Sequence, residues 1–290
     1  MTAERVEFLG RDGNRLAADA AGAVDDPPVI LLHGGGQTRH SWGTTLTSLA
    51  ARGWRVYAVD LRGHGDSDWA ADGDYTLDAF SGDVLAIVRS LDRTPVLVGA
   101  SLGGIASLAA VGEHADEQVT RALVLVDVAP RVEDAGRDRI GAFMVGHIET
   151  GFASLEEVAD AVHAYNPHRP RPSNLDGLRR NLRQRDDGRW YWHWDPAFIA
   201  GRLGNYDETR SVVNPVRLRA AARAVRVPTL LVRGRLSDLL SEEGARELLE
   251  LTPQARFVDV AGAGHMVAGD ANDLFDAAVV AFLDEVGEPG

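Results

Sequence analysis

The stretch Pro95 to Gly104, which reads P-V-L-V-G-A-S-L-G-G, constrains the fold more than any other part of the chain. Val96, Leu97 and Val98 form an unbroken apolar run, the pattern of a strand buried on both faces, and the run stops at Gly99. From Leu102 onward, Leu102, Ile105, Ala106, Leu108 and Ala109 recur at helical spacing as far as about His114. Ser101 is therefore expected on a sharp strand-to-helix turn. Gly99 and Gly103 flank it two residues away on each side, so no side chains crowd a strained serine backbone, and Gly104 adds a further position for close packing. Such a turn lifts the hydroxyl clear of the sheet and leaves the Leu102 N–H at a helix N-terminus, where unpaired amides and the helix dipole favour negative charge. A plain glycine-rich turn carries the same pattern, so its chemical meaning depends on what the rest of the chain brings to it.

The flanking sequence alternates strands and helices. Val6 to Leu9 and Leu16 to Ala21 read as a hairpin turning at Asp12-Gly13-Asn14, a meander at a sheet edge. Val29 to Leu32 is a buried-strand run ending at His33-Gly34-Gly35-Gly36-Gln37, whose glycines leave backbone amides uncovered. A helix follows from about Ser41 to Arg52, then a strand from Arg55 to Val59 that ends at D-L-R-G-H-G-D-S, then a helix from about Thr76 to Leu91. Ala122 to Val126 supplies the strand after the elbow helix. This alternation predicts a mostly parallel sheet flanked by helices.

The rhythm changes after Asp127. Residues 129–226 contain no clear buried strand; amphipathic helical pieces (Leu155 to Tyr165, Leu175 to Gln184, Pro196 to Ala200, Val216 to Ala224) are separated by proline- and arginine-rich joints such as Asn166 to Pro172. This reads as a helical insertion. Thr229 to Arg233 and Arg256 to Val260 resume the strands, with a helix from Ser241 to Leu251 between them and a closing helix from about Asn272 to Val286. The expected division is a core domain of residues 1–128 and 227–290, and a helical cap of 129–226.

At 290 residues and 45% apolar content the chain can bury a sizeable core. Its net charge of −13 argues against nucleic acid or an anionic membrane as the main partner, and the absence of cysteine excludes disulfides, thiol catalysis and Cys-based metal sites. The N-terminal stretch M-T-A-E-R-V-E-F-L-G has no signal-peptide core, and no run of 18 apolar residues occurs, so a soluble cytoplasmic protein is expected.

Two loops converge with Ser101 at the strand ends, where open parallel sheets hold ligands. Gly262-Ala263-Gly264-His265 delivers a histidine past the last strand, and Gly234-Arg235-Leu236-Ser237-Asp238 delivers a carboxylate past the strand before it. The order Ser101, Asp238, His265 resembles that of the α/β-hydrolase superfamily. H-G-G-G-Q looks like the oxyanion loop of that family, D-L-R-G-H-G-D-S like its fourth-strand signature, and the insertion after the sixth strand like its cap domain. The resemblance covers nearly the whole chain and implies an eight-stranded, mostly parallel α/β-hydrolase sheet with a helical cap after strand 6.

Serine is a poor nucleophile at neutral pH and needs an adjacent base, a task suited to His265. A buried carboxylate must then hold the imidazole, and Asp238 is favoured because it has a loop of its own. Asp127, at the end of the strand after the elbow helix, is the alternative acid. The Leu102 amide and one from Gly35 would serve as oxyanion donors. Gly34, Gly36, Phe143, Met144, Trp192 and Trp194 are candidate substrate contacts. The aromatic run Trp190 to Trp194 fits either a pocket wall or packing of the lid, and His147 lies on a segment that could face the same cavity. His33 and His64 are read as loop-holding residues, Asp60 and Arg62 as fixing their turn through ion pairs and hydrogen bonds, and His163 and His168 as solvated surface. The chemistry calls for no metal and no cofactor.

The expected activity is hydrolysis of a small carboxylic ester or lactone through an acyl-enzyme. Carbon–carbon bond hydrolases and cofactor-free perhydrolases carry the same triad and are the alternative class, while a non-catalytic ligand binder is disfavoured by the intact triad. Serine at position 101 argues against the aspartate-nucleophile epoxide hydrolases and haloalkane dehalogenases.

Overall fold

A computed structural model describes residues 3–167, 170–171, 175–203, 212–265 and 272–287. Strands β1 (Glu4–Leu9) and β2 (Arg15–Ala21) form the edge hairpin, with Leu9 opposite Arg15. β2 also pairs antiparallel with β4 (Arg55–Val59). From there β4, β3 (Pro28–Leu32), β5 (Val96–Ala100), β6 (Leu123–Val126), β9 (Thr229–Gly234) and β10 (Ala255–Val260) run parallel, giving an eight-stranded sheet in the order β1-β2-β4-β3-β5-β6-β9-β10. The mostly parallel sheet expected from the alternating pattern is the one that forms.

Each central strand feeds two cores because its side chains alternate faces. Ile30, Leu32 and Leu97 point into a layer shared with α2 (Leu77–Arg89), α3 (Leu102–Glu113), α7 (Pro215–Ala224) and α8 (Glu242–Leu251). Val29, Leu31, Val96 and Val98 point into the other, against α1 (Gly43–Ala50) and α9 (Asn272–Val286). This is why these strands read as continuous apolar runs: every residue is buried, each contributing about 1.5–3 kcal/mol when it leaves water completely. α2, α7 and α8 begin at side-chain caps, where Thr76, Asn214 and Ser241 accept amide hydrogens of their first turns. Among the described residues no helix is long and apolar enough to cross a membrane.

The segment between β6 and β9 holds α4 (Asp134–Val145), α5 (Leu155–Tyr165), a two-stranded ribbon of β7 (Leu182–Gln184) and β8 (Trp190–Trp192), α6 (Pro196–Leu203) and α7. Two details differ from expectation. Leu175 to Gln184 is not a helix: a single 3-10 turn, Leu178–Asn181, runs straight into β7. Leu178 and Leu182 have helical spacing, but pairing of β7 with the aromatic β8 wins, and Phe152 extends the ribbon by bridging to Trp190. The consecutive aromatics of Trp190 to Trp192 thus mark a strand. At the end of the segment, α7 lies against α3, with Gly112 meeting the Ala221 backbone closely enough that a Cβ would fall 2.3 Å from its carbonyl oxygen. His163 is half-buried on α5, and His168 lies outside the described residues.

Candidate active site

Two neighbouring strands end in backbone conformations that L-residues rarely adopt. Ser101 caps α3 at φ 45° and ψ −110°, and Asp127, directly after β6, has φ 50°. The strand ladder holds both in place. The Ser101 N–H donates to Val126 O at 3.1 Å, and the Asp127 N–H donates to Val232 O at 2.7 Å. The glycines of the elbow are required by close approach: a Cβ on Gly103 would lie 2.4 Å from Leu32 O, and one on Gly99 2.5 Å from Gly103 O. α3 therefore starts hard against the ends of β3 and β5, with Ser101 at the turn.

The carboxylate beside His265 is Asp127, which corrects the expectation that Asp238 would stand there. His265 Nδ1 is 2.7 Å from Asp127 Oδ2, with Asp127 fully buried and His265 12% exposed. Asp127 Oδ1 accepts the Gly234 N–H at 2.9 Å, and Oδ2 also accepts the Ser237 hydroxyl at 2.6 Å. The loop after β9 therefore carries the hydrogen-bond donors for the carboxylate rather than the carboxylate itself. Asp238, one residue past Ser237, turns outward with its side chain 38% exposed and forms a two-pronged pair with Arg139 of α4, at 2.6 and 2.9 Å. Arg139 also donates to Tyr165 O at 3.1 Å and lies over the Tyr165 ring at 4.9 Å. Burial pushes the Tyr165 phenol up to about 12.

The loop after β3 presents amides beside the elbow. The Gln37 N–H donates to Gly34 O at 3.1 Å, closing a four-residue turn with Gly36 at φ 78°, as the third position of a type II turn demands. The Gly34 N–H donates to Gln37 Oε1 at 2.9 Å and the Gly36 N–H to His64 Nε2 at 3.1 Å. These bonds occupy the turn amides other than that of Gly35. On the facing side, the Leu102 N–H is the first of α3 and has no acceptor within its helix.

Three histidines brace this loop. Leu61 N–H donates to His33 Nε2 at 3.0 Å, so His33 carries its proton on Nδ1 and donates to Gly34 O at 2.8 Å. Complete burial pushes the His33 pKa down to about 4. His64, with Nε2 accepting from Gly36, donates from Nδ1 to Arg62 O at 2.9 Å. His193, from the loop after β8, accepts the Gly65 N–H at 2.7 Å, and burial holds it well below the usual histidine range. The loop-holding reading of His33 and His64 agrees with these bonds. Asp60 and Arg62 also fix their turn, each through a distant partner: Asp60 pairs with Arg39, and Arg62 grips Asp83 with two bonds of 2.6 Å.

A cavity of about 390 Å³ opens in front of Ser101. Gly34, Gly35, Gly36, Leu102 and His265 line it from the sheet side. Phe143, Met144, Trp192 and Trp194 line it from the segment between β6 and β9. These aromatics are packed as well as exposed to the cavity. Trp192 and Trp194 stack at 4.8 Å, Phe143 stacks on Tyr165 at 4.3 Å, and Trp192 Nε1 donates to Gly146 O at 3.2 Å. His147 is turned away from the cavity onto Phe152, at 4.2 Å. Sequence reasoning missed Ser237, Gly234 and Arg139. The only trace of the first two was the loop that pointed to Asp238.

The comparisons agree with this fold. A family profile described as alpha/beta hydrolase fold matches residues 27–271. Esterase Rv0045c of Mycobacterium tuberculosis is 32% identical over 286 residues, which span 93% of this chain and 90% of that protein. Its crystal structure superposes with a TM-score of 0.75 at 30% identity, covering 98% of this chain and 92% of that one. The 3-hydroxybutyrate-oligomer hydrolase of Cupriavidus necator is 26% identical over 87% of each chain. The crystal structure of E-2-(acetamidomethylene)succinate hydrolase, at 24% identity, shares the fold with a TM-score of 0.81 over 98% of this chain and all of that one. A parallel sheet, a strained serine elbow and a profile match across most of the length together place this chain in the alpha/beta hydrolase fold family, as a hydrolase.

Proposed function

We propose that the protein is a serine hydrolase of small carboxylic esters or lactones that works through an acyl-enzyme, with Ser101 as nucleophile, His265 as base and Asp127 as acid. The observation that carries this reading is the 2.7 Å bond from His265 Nδ1 to a buried Asp127, in a cavity that Ser101 also lines. With Nδ1–H donated to the carboxylate, Nε2 keeps its lone pair and can take the serine proton as Ser101 Oγ attacks the carbonyl carbon. The imidazolium formed is stabilised by Asp127, whose charge is spread over three donors. The oxyanion would sit between the Leu102 and Gly35 amides, where loss of one donor typically costs about 3 kcal/mol of barrier. Collapse of the tetrahedral species expels the alcohol, protonated by His265, and water then releases the acid by the same steps in reverse.

Support for an ester substrate comes from the 32% identical relative that is itself an esterase. Residues 129–226 are assigned as the cap, since α4 and β8 supply the cavity wall opposite Ser101. Wild type is expected to hydrolyse p-nitrophenyl butyrate with sustained release and to be labelled once by a fluorophosphonate, at Ser101 by mass spectrometry. Ser101→Ala is expected to lose both. Undiminished turnover by a folded Ser101→Ala variant would overturn the assignment.

A further inference from the structure

Gln37 and Asn181 are among the carboxamides that line the cavity. In each the oxygen is already committed: Gln37 Oε1 accepts the Gly34 N–H at 2.9 Å, and Asn181 Oδ1 accepts the Thr38 hydroxyl at 3.1 Å. A backbone N–H can only donate, so the end of Gln37 that faces Gly34 must be its carbonyl oxygen. The NH₂ is then the other end. Neither NH₂ has an acceptor among the described residues. The two are brought together at one loop, because Thr38, which holds Asn181, directly follows Gln37.

The pair lies close to the nucleophile. A Cβ built on Gly34 would be 3.3 Å from Ser101 Cβ, 3.1 Å from Gln37 Oε1 and 3.6 Å from Gln37 Cδ, so the carboxamide and the serine flank the same face of Gly34. The rest of the lining sets the chemistry of what these donors meet. Arg137, the guanidinium on the cavity wall, is paired with Asp134 at 3.0 Å, and the α4 side is apolar, with Ile140, Phe143 and Met144. Neutral donors without an unpaired cation suit an uncharged acceptor oxygen. A carboxylate would enter such a cavity at a desolvation cost that neutral amides do not offset.

We propose that the NH₂ groups of Gln37 and Asn181 form a specificity subsite for a second, uncharged oxygen of the substrate, an ether, hydroxyl or ketone in the acyl chain. This rests on the ester-hydrolase reading above. The acyl half is the half concerned. The leaving alcohol must lie beside His265 to be protonated, and His265 follows β10, whereas the Gln37 loop follows β3 on the other side of β5 in the sheet order.

The test compares p-nitrophenyl methoxyacetate with p-nitrophenyl butyrate, which differ by one ether oxygen in place of a methylene. The readout is the ratio of their kcat/KM values in wild type, Gln37→Glu, Gln37→Met and Asn181→Asp. Gln37→Glu and Asn181→Asp keep the acceptors for Gly34 and Thr38 and put a carboxylate oxygen where each donor was, while Gln37→Met removes its donor without adding charge. The ratio is expected to fall about tenfold in each variant, the worth of one hydrogen bond. An equal fall for both esters, leaving the ratio at the wild-type value, would show that Gln37 and Asn181 only shape the loop and would overturn the subsite. A wild-type enzyme that turns over neither ester would overturn the ester-hydrolase reading and this proposal with it.

Discussion

Replacing Asp127 by Asn separates the two candidate acids, and the surrounding bonds indicate by how much. Asp127 Oδ1 faces the Gly234 N–H at 2.9 Å, a group that can only donate. An Asn side chain must therefore turn its carbonyl toward Gly234 and its NH₂ toward His265 and Ser237. The Ser237 oxygen already accepts the Leu239 and Leu240 amides at 3.2 Å each, so its hydroxyl loses its acceptor. His265 can accept only by moving its proton from Nδ1 to Nε2, and a protonated Nε2 cannot take the serine proton. The wrong tautomer is expected to lower kcat by up to about 10⁴-fold, equivalent to about 5 kcal/mol of barrier, with the fold retained because the Gly234 and His265 bonds keep partners. Asp238→Asn breaks only the half-exposed pair with Arg139, worth about 0.2–1 kcal/mol, and is expected to leave kcat within about threefold. The assay is steady-state hydrolysis of p-nitrophenyl butyrate, with circular dichroism of each variant. A folded Asp127→Asn enzyme at near wild-type kcat, beside a folded but crippled Asp238→Asn, would refute the reasoning.

Ser237→Ala removes one of the three donors to Asp127 and the acceptor of the Leu239 and Leu240 amides, so kcat is expected to fall about tenfold, with Ser237→Thr restoring most of it. Equal kcat in wild type and Ser237→Ala would show that the hydroxyl does not support the acid. His33 predicts a pH dependence of stability. Its pKa is about 4 in the folded protein against an ordinary 6.5, so between these values the unfolded chain binds more protons. Its stabilising contribution is complete above pH 6.5 and is lost as pH falls toward 4, up to about 3 kcal/mol, and His193 acts in the same direction. Urea unfolding at pH 7 and pH 4.5 is expected to show a smaller difference for His33→Gln than for wild type, and identical differences would exclude this contribution.

The core of the fold was legible because its strands are buried on both faces. Val29 to Leu32, Val96 to Val98 and Leu123 to Val126 carry no polar residue, and only a covered parallel sheet consumes such runs. Ser101 and His265 were legible as positions because strand ends fix where a loop begins. The identity of the carboxylate facing His265 was not. Asp238 and Ser237 are adjacent in a short turn, and the direction each takes depends on loop dihedrals and on Arg139, a partner 99 residues away in sequence. The β7–β8 ribbon was missed for a similar reason, since a three-residue strand such as Leu182–Gln184 has too few positions to display a period. Gln37 and Asn181 left no trace as a pair, because their relation runs through the Thr38 hydroxyl rather than through spacing.

The position of Asp127 has a mechanical consequence. β5 and β6 are neighbours in the sheet, so the ladder that holds Ser101 N–H on Val126 O also fixes the residue before Asp127, and the next rung, Asp127 N–H to Val232 O, ties both to β9. Ser101 and Asp127 thus share one rigid frame, the condition under which two side chains keep their geometry without relying on loop packing. The β9 loop then serves two neighbours through consecutive residues: Ser237 bonds to Asp127 below, and Asp238 grips Arg139 of α4 above. Tyr165, which Arg139 covers, and Phe143, stacked upon it, belong to the cavity wall, so the Asp238 pair anchors that wall to the loop bonded to Asp127. Loosening it acts on how the wall receives substrate, which belongs to KM, while the frame carrying Ser101 and Asp127 stays in place. An Asp238→Asn variant that changed kcat and left KM untouched would contradict this division.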